Sequence, residues 1–146
     1  MTAGFFVCAA GYGQPGPQHA GLSPSRPPST EEAAMSETPF LTTITACNAC
    51  ATACDECVSG CLLEEDAQYM ALCIQLDLDC AGMCRLAASA LARQSPAVGV
   101  ICETCARVCD LCAEECARHD MDHCQLCASA CRDCAEACRR ASAAGG

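Results

Sequence analysis

The sequence has no tryptophan and no lysine, and only two tyrosines and three phenylalanines in 146 residues. A chain this poor in aromatics must build its core from something else. Without lysine, eight arginines face 18 aspartates and glutamates, and the formal net charge is −10. A surface of that sign repels polyanions, which excludes nucleic acid and anionic membrane as natural partners. No apolar run approaches the roughly 20 residues that cross a bilayer. A secretory leader is not expected either. No positive side chain precedes Arg26, glycine and proline interrupt the first residues, and no twin-arginine pair precedes the domain. The expectation is a cytoplasmic protein, where thiols stay reduced.

Cysteine is what the chain has in excess, with 19 residues. That marks a cysteine scaffold rather than an ordinary globule, and the odd number fits poorly with a closed disulfide framework. Residues 1–34 hold five of the seven prolines and five of the ten glycines. Such a stretch cannot bury enough surface to offset its ordering entropy. A disordered tail is therefore expected over 1–35, carrying Cys8 and a solvent-exposed His19, with Met35 opening the domain as its expected true start. The domain is expected over 36–141, followed by a flexible 142–146.

The other 18 cysteines fall between Cys47 and Cys138. Cys47, Cys50, Cys54, Cys57 and Cys61 are separated by steps of 3, 4, 3 and 4. Cys102, Cys105, Cys109, Cys112 and Cys116 repeat those steps, and so do Cys124, Cys127, Cys131, Cys134 and Cys138. This spacing places every sulfur on one stripe of an α-helix. Cys73, Cys80 and Cys84 keep the same phase along a seam that reads Met70, Cys73, Asp77, Cys80, Cys84, Ala87, Leu91. Asp77 is expected to rotate outward from that seam. Four helices follow, over 39–62, 66–93, 97–118 and 121–140. Thr38-Pro39 and Ser95-Pro96 supply a cap followed by proline, Asp120 can cap the last helix, and Glu64-Glu65-Asp66 suits the positive end of the second. Short loops make neighbours antiparallel. The fold class is all-α, an up-down-up-down four-helix bundle with a cysteine-lined core.

Eighteen small side chains on the inward stripes would leave a costly void, so an occupant is expected. Thiolates are soft ligands for Cu(I), zinc or iron–sulfur clusters. Zinc prefers tetrahedral closure by CxxC knuckles on turns, whereas these CxxC pairs lie inside helices. The bacterial ferredoxin run loops around its cluster and ends in Cys-Pro, and no cysteine here precedes proline. Cu(I) accepts two or three thiolates, so pairs within and across helices both serve. Copper fits best. An iron–sulfur electron carrier and a metallothionein-like zinc buffer stand as alternatives. No nucleophile–base arrangement stands out from the sulfur background, and an enzyme is not expected.

The repeated CxxCxxxCxxC helices over about 36–140 resemble the bacterial copper storage proteins. The resemblance implies a four-helix bundle whose cysteines hold many Cu(I) ions, a homotetramer, and a cytosolic rather than exported form. It implies as metal ligands all 18 cysteines from Cys47 to Cys138. A copper chaperone is the partner class expected for delivery. The tail 1–35 departs from the family pattern.

The alternating helices gather Cys61, Met70, Cys116, His119, Met121 and His123 at one end. Phe40, Ile44, Leu91, Val98 and Ile101 gather at the other. Met70, His119, Met121 and His123 are thus expected to admit metal at one mouth, with hydrocarbon plugging the opposite one. Leu72, Leu76, Met83 and Leu86 form a second apolar stripe on helix two, suited to lateral packing or to an oligomer surface.

Overall fold

The computed structural model describes Pro27 and residues 39–144. The rest of the expected tail, the cap at Thr38 and the last two glycines lie outside the described residues. Four helices make up the rest: α1 Leu41–Leu63, α2 Ala71–Ala92, α3 Val98–Cys116 and α4 Asp122–Ala144. Helix α1 packs on α2, α2 on α3, α3 on α4, and α4 back on α1, with no diagonal packing among the described residues. That closed ring of antiparallel neighbours is the expected four-helix bundle.

The helices form where the sulfur periodicity lies, but their ends differ from expectation. Helix α1 opens at Leu41, behind a turn at Pro39 and Phe40. The second helix does not begin at Asp66. Ala67–Met70 form a 3₁₀ turn, closed by Tyr69 N–H donating to the Asp66 carbonyl at 2.8 Å, and α2 follows from Ala71. The i→i+3 bond tightens the chain enough to swing it from α1 into α2 within a few residues. At the end of α2, Gln94 adopts φ 50°, with Ser95 N–H donating to the Ala90 carbonyl and Gln94 N–H to Leu91. This is a Schellman stop with a non-glycine residue in the left-handed position. Ser95 does act near the start of α3, its Oγ accepting Ala97 N–H at 3.2 Å. Helix α3 stops at Cys116, two residues early, and α4 runs past 140 to Ala144. Asp122, not Asp120, is the acid in the first turn of α4.

The core holds little hydrocarbon. Eighteen fully buried cysteines are flanked by buried alanines such as Ala51, Ala81, Ala106, Ala113, Ala128 and Ala135. Met70, Leu91 and Val98 are the larger apolar side chains buried among the described residues. Alanine favours the helix and lets neighbouring backbones approach, which brings the sulfur stripes into contact. Outside, Arg85 pairs with Asp55 between α2 and α1, and Arg139 with Asp110 between α4 and α3.

Candidate metal centre

All four helices turn their cysteine stripe to the axis, and every one of the 18 side chains there is a free, buried thiol. The inner sulfurs follow one another closely. From the Leu91 end, Cys138 lies 3.6 Å from Cys47, and Cys47 lies 3.7 Å from Cys134. Cys134 stands 3.7 Å from Cys84, which meets Cys109 at 3.6 Å and Cys105 at 3.8 Å. Cys80 then touches Cys109 at 3.6 Å and Cys131 at 3.8 Å, and Cys50 meets Cys131 at 3.6 Å. Cys54 continues the line to Cys127 at 3.6 Å. A metal–thiolate bond is about 2.3 Å, so sulfurs sharing a trigonal ion stand about 4.0 Å apart. The protein holds that spacing already.

Asp77 interrupts the sulfur. It was expected to face outward, but it is fully buried, and its Oδ1 accepts from Cys112 at 3.0 Å, Cys127 at 3.1 Å and Cys116 at 3.4 Å. Its seam position leaves it no route to water past the packed neighbours of α2, so the thiols solvate it instead. Burial first, then the Cys112 contact, pushes its carboxyl up to about 10. A protonated, neutral group therefore sits at the junction between the inner sulfurs and those of the mouth.

Beyond it, Cys116 meets Cys73 at 3.5 Å, and Cys61 meets Cys57 and Cys124 at 3.9 Å. His123 closes this end, its Nδ1 lying 3.4 Å from Cys124, 3.7 Å from Cys57 and 3.9 Å from Cys61. Its Nε2 lies 3.0 Å from Glu64 Oε1. Burial lowers the imidazole's pKa, but Cys57 and Glu64 outweigh it and the net shift is upward. Cys57 is held down to about 5, by the Cys116 thiol first and also by Cys73 and His123. Burial pushes the neighbouring Cys61 and Cys124 thiols up. One thiolate among neutral thiols thus stands at the mouth beside the ring.

Several sets of four donors lie within 4.8 Å of one another, including Cys47/Cys105/Cys134/Cys138, Cys50/Cys80/Cys84/Cys109, Cys54/Cys112/Cys127/Cys131 and Cys57/Cys61/His123/Cys124. Cys50, Cys54, Cys80 and Cys131 recur in more than one set. Discrete tetrahedral ions would each need sulfurs of their own, whereas shared sulfurs suit bridged two- and three-coordinate ions. The same pattern is described by a family model, the copper storage protein, which matches residues 36–143. The chain belongs to the copper storage protein family.

Relatives agree. An uncharacterized cysteine-rich protein, YhjQ, of Bacillus subtilis (strain 168) is 46% identical over 81 residues, spanning 56% of this chain and 75% of that protein. The Cu(I)-bound copper storage protein 3 of that genus and species matches at 45% identity and a TM-score of 0.66, covering 68% of this chain and 94% of the relative. A cytosolic copper storage protein from Streptomyces lividans, in a structure of its copper loading, matches at 37% identity and a TM-score of 0.69, over 71% of this chain and 92% of the relative.

Within this family member the four mouth residues fare differently. His123 reaches the sulfurs. His119 instead turns Nε2 to Glu115 Oε1 at 3.3 Å, and its carbonyl accepts from Gln125 at 2.7 Å. Met70 is buried, and Met121 packs half-buried against the core. Both line a hollow of about 480 Å³ together with Glu64, Glu65, Asp66 and Tyr69. At the opposite end Leu91 and Val98 are buried, with Phe40, Ile44 and Ile101 packed on the core beside them. On α2, Leu76 and Met83 pack against the core while Leu72 and Leu86 stay exposed. Sequence reasoning missed Gly60 and set Glu64 at the positive end of the second helix, whereas Glu64 is the C-cap of the first and both lie beside the His123 ring.

Proposed function

We propose that this chain stores copper, taking many Cu(I) ions onto the thiolates of Cys47 through Cys138 inside the bundle. The observation that carries the reading is two runs of buried thiols, with neighbouring sulfurs 3.5–4.0 Å apart, that meet at Asp77. Charge supports Cu(I) in particular. Each thiol proton that leaves can be replaced by one monovalent ion, which keeps the low-dielectric interior neutral. Neutral exchange puts capacity near one ion per sulfur, about 18, within a bracket of about 9 to 20 set by two- and three-coordinate sharing.

His123 receives ions at the mouth, and Met70 and Met121 pass them inward as weaker thioether donors. His119 belongs to the same rim through Glu115. Cargo rather than turnover is the task, and no residue is assigned to catalysis. The cytosol is the proposed compartment, supported by the relative described as cytosolic. Exposed Leu72 and Leu86 support assembly with further copies into a tetramer, and a copper chaperone is the proposed donor. The tail over 1–35, with Cys8, lies outside the storage unit.

Anaerobic titration of the reduced protein with Cu(I) against a chromogenic chelator tests the reading. Uptake should continue to about 9–20 ions per chain, and a chain beginning at Met35 should titrate identically. A plateau at one to four ions would overturn storage and indicate a discrete site.

A further inference from the structure

We infer that Gly60 and Glu64 are positioning residues that hold the His123 ring with Nδ1 turned to Cys57, Cys61 and Cys124. This rests on the reading of His123 as a receiver of Cu(I).

Gly60 lies in the interior of α1, where glycine weakens a helix relative to alanine. Its backbone does not require glycine, because no described glycine has positive φ. The ring explains it. A Cβ at position 60 would stand 2.6 Å from Cδ2 and Cγ of His123 and 2.9 Å from Nε2. The imidazole lies directly on the α1 backbone at that point. It has no room to retreat on its other edge, where Nδ1 is 3.4 Å from the Cys124 sulfur. Gly82, the comparable glycine of α2, has nothing within 4 Å of an added Cβ.

Glu64 fixes the remaining freedom. A ring seated in that slot could still carry its hydrogen on either nitrogen, or turn over. A carboxylate only accepts, so Glu64 Oε1 at 3.0 Å requires the hydrogen on Nε2. Nδ1 is then the nitrogen turned to the three sulfurs, and an arriving ion would take the place of any hydrogen it shares with Cys57. An acid at the C-cap of α1, unfavourable against the helix dipole, is explained by that contact. Space from one residue and tautomer from the other make a single device at the C-terminal end of α1.

The test uses the full-length reduced protein and Cu(I) supplied from a chelator complex. Gly60→Ala and Glu64→Leu should each slow initial uptake by roughly 10-fold, the scale typical of partners that orient a ligand. Gly82→Ala should leave it unchanged. In a His123→Ala background, where the ring is gone, neither substitution should slow uptake further. Slowing of equal size with and without the ring would overturn the inference, since the effect would then belong to the helix. Long-range proton–nitrogen NMR of the metal-free protein reads the tautomer independently of copper. Nε2 should carry a hydrogen, and Glu64→Leu should weaken that preference; an Nε2 without hydrogen in the unaltered protein would overturn the inference. If His123→Ala loads at the unaltered rate, the receiving role fails, while the NMR result still decides the positioning.

Discussion

Asp77 is a carboxyl group enclosed by thiols, and its titration leaves a mark on stability. Its pKa is raised to about 10 by burial and by Cys112, whereas an unfolded chain releases that proton near the ordinary value of about 4. Between those limits the folded state binds more protons than the unfolded one, so stability falls as pH rises, by up to roughly 1.4 kcal/mol per pH unit. The raised His123 contributes in the same direction, since its stabilisation is present below the unfolded pKa and is lost as pH rises through the folded one. Cys57, held down to about 5, works the other way over the same range, because its contribution grows as pH rises above that value. Urea unfolding of reduced, metal-free protein at pH 5.5 and 7.5 should therefore separate Asp77 by difference: Asp77→Asn should remove the Asp77 decline and gain stability relative to the unaltered protein as pH rises. A slope unchanged by the substitution would mean that the carboxyl is ionised when folded. The sequence offered Asp77 as a seam position but could not show its direction. The helical phase pointed inward and the cost of burying a charge pointed outward, and protonation removes that conflict. The 18 core sulfurs, by contrast, were legible because one residue type repeated in register four times.

At the scale of the helix, the ends were the less legible part. Periodicity reports the middle of a helix, where the sulfur stripe repeats, and says nothing about how the last turn closes. The 3₁₀ turn at Ala67–Met70 carries no glycine or proline to announce it, and the Schellman stop after α2 uses Gln94 where glycine is usual. A β-carbon in the left-handed region costs about 1–2 kcal/mol, partly offset by the greater freedom glycine has when unfolded. Gln94→Gly should therefore stabilise the metal-free bundle by about 0.5–1 kcal/mol, read as a rise in thermal midpoint. Ser95→Ala, which removes the acceptor for Ala97 N–H, should cost about 1 kcal/mol. Neither change touches a sulfur, so copper capacity should stay constant in both.

As a whole molecule the bundle places buried alanine and small buried thiols where other bundles place leucine and isoleucine. Helix propensity and thiol burial together should keep it folded without metal, unlike a zinc finger. Circular dichroism of the reduced apo protein should show high helicity, with copper raising the thermal midpoint by mass action; a coil spectrum would contradict this. Leu91 is the large hydrocarbon closing the inner end, and Leu91→Ala should cost about 2–5 kcal/mol with uptake rates nearly unchanged. Replacing Met70, His119, Met121 and His123 together should slow both uptake and removal by a chelator, with only a small loss of capacity. Equal rates in both variants would mean that ions pass elsewhere. A line of sites stoppered by Leu91 at its base and attended by His123 at its lip has the geometry of a well rather than a corridor. An ion beside Cys138 leaves only after those above it have moved, so depth becomes waiting time: copper of one isotope loaded first should be the last to reach a chelator when a second isotope is layered over it.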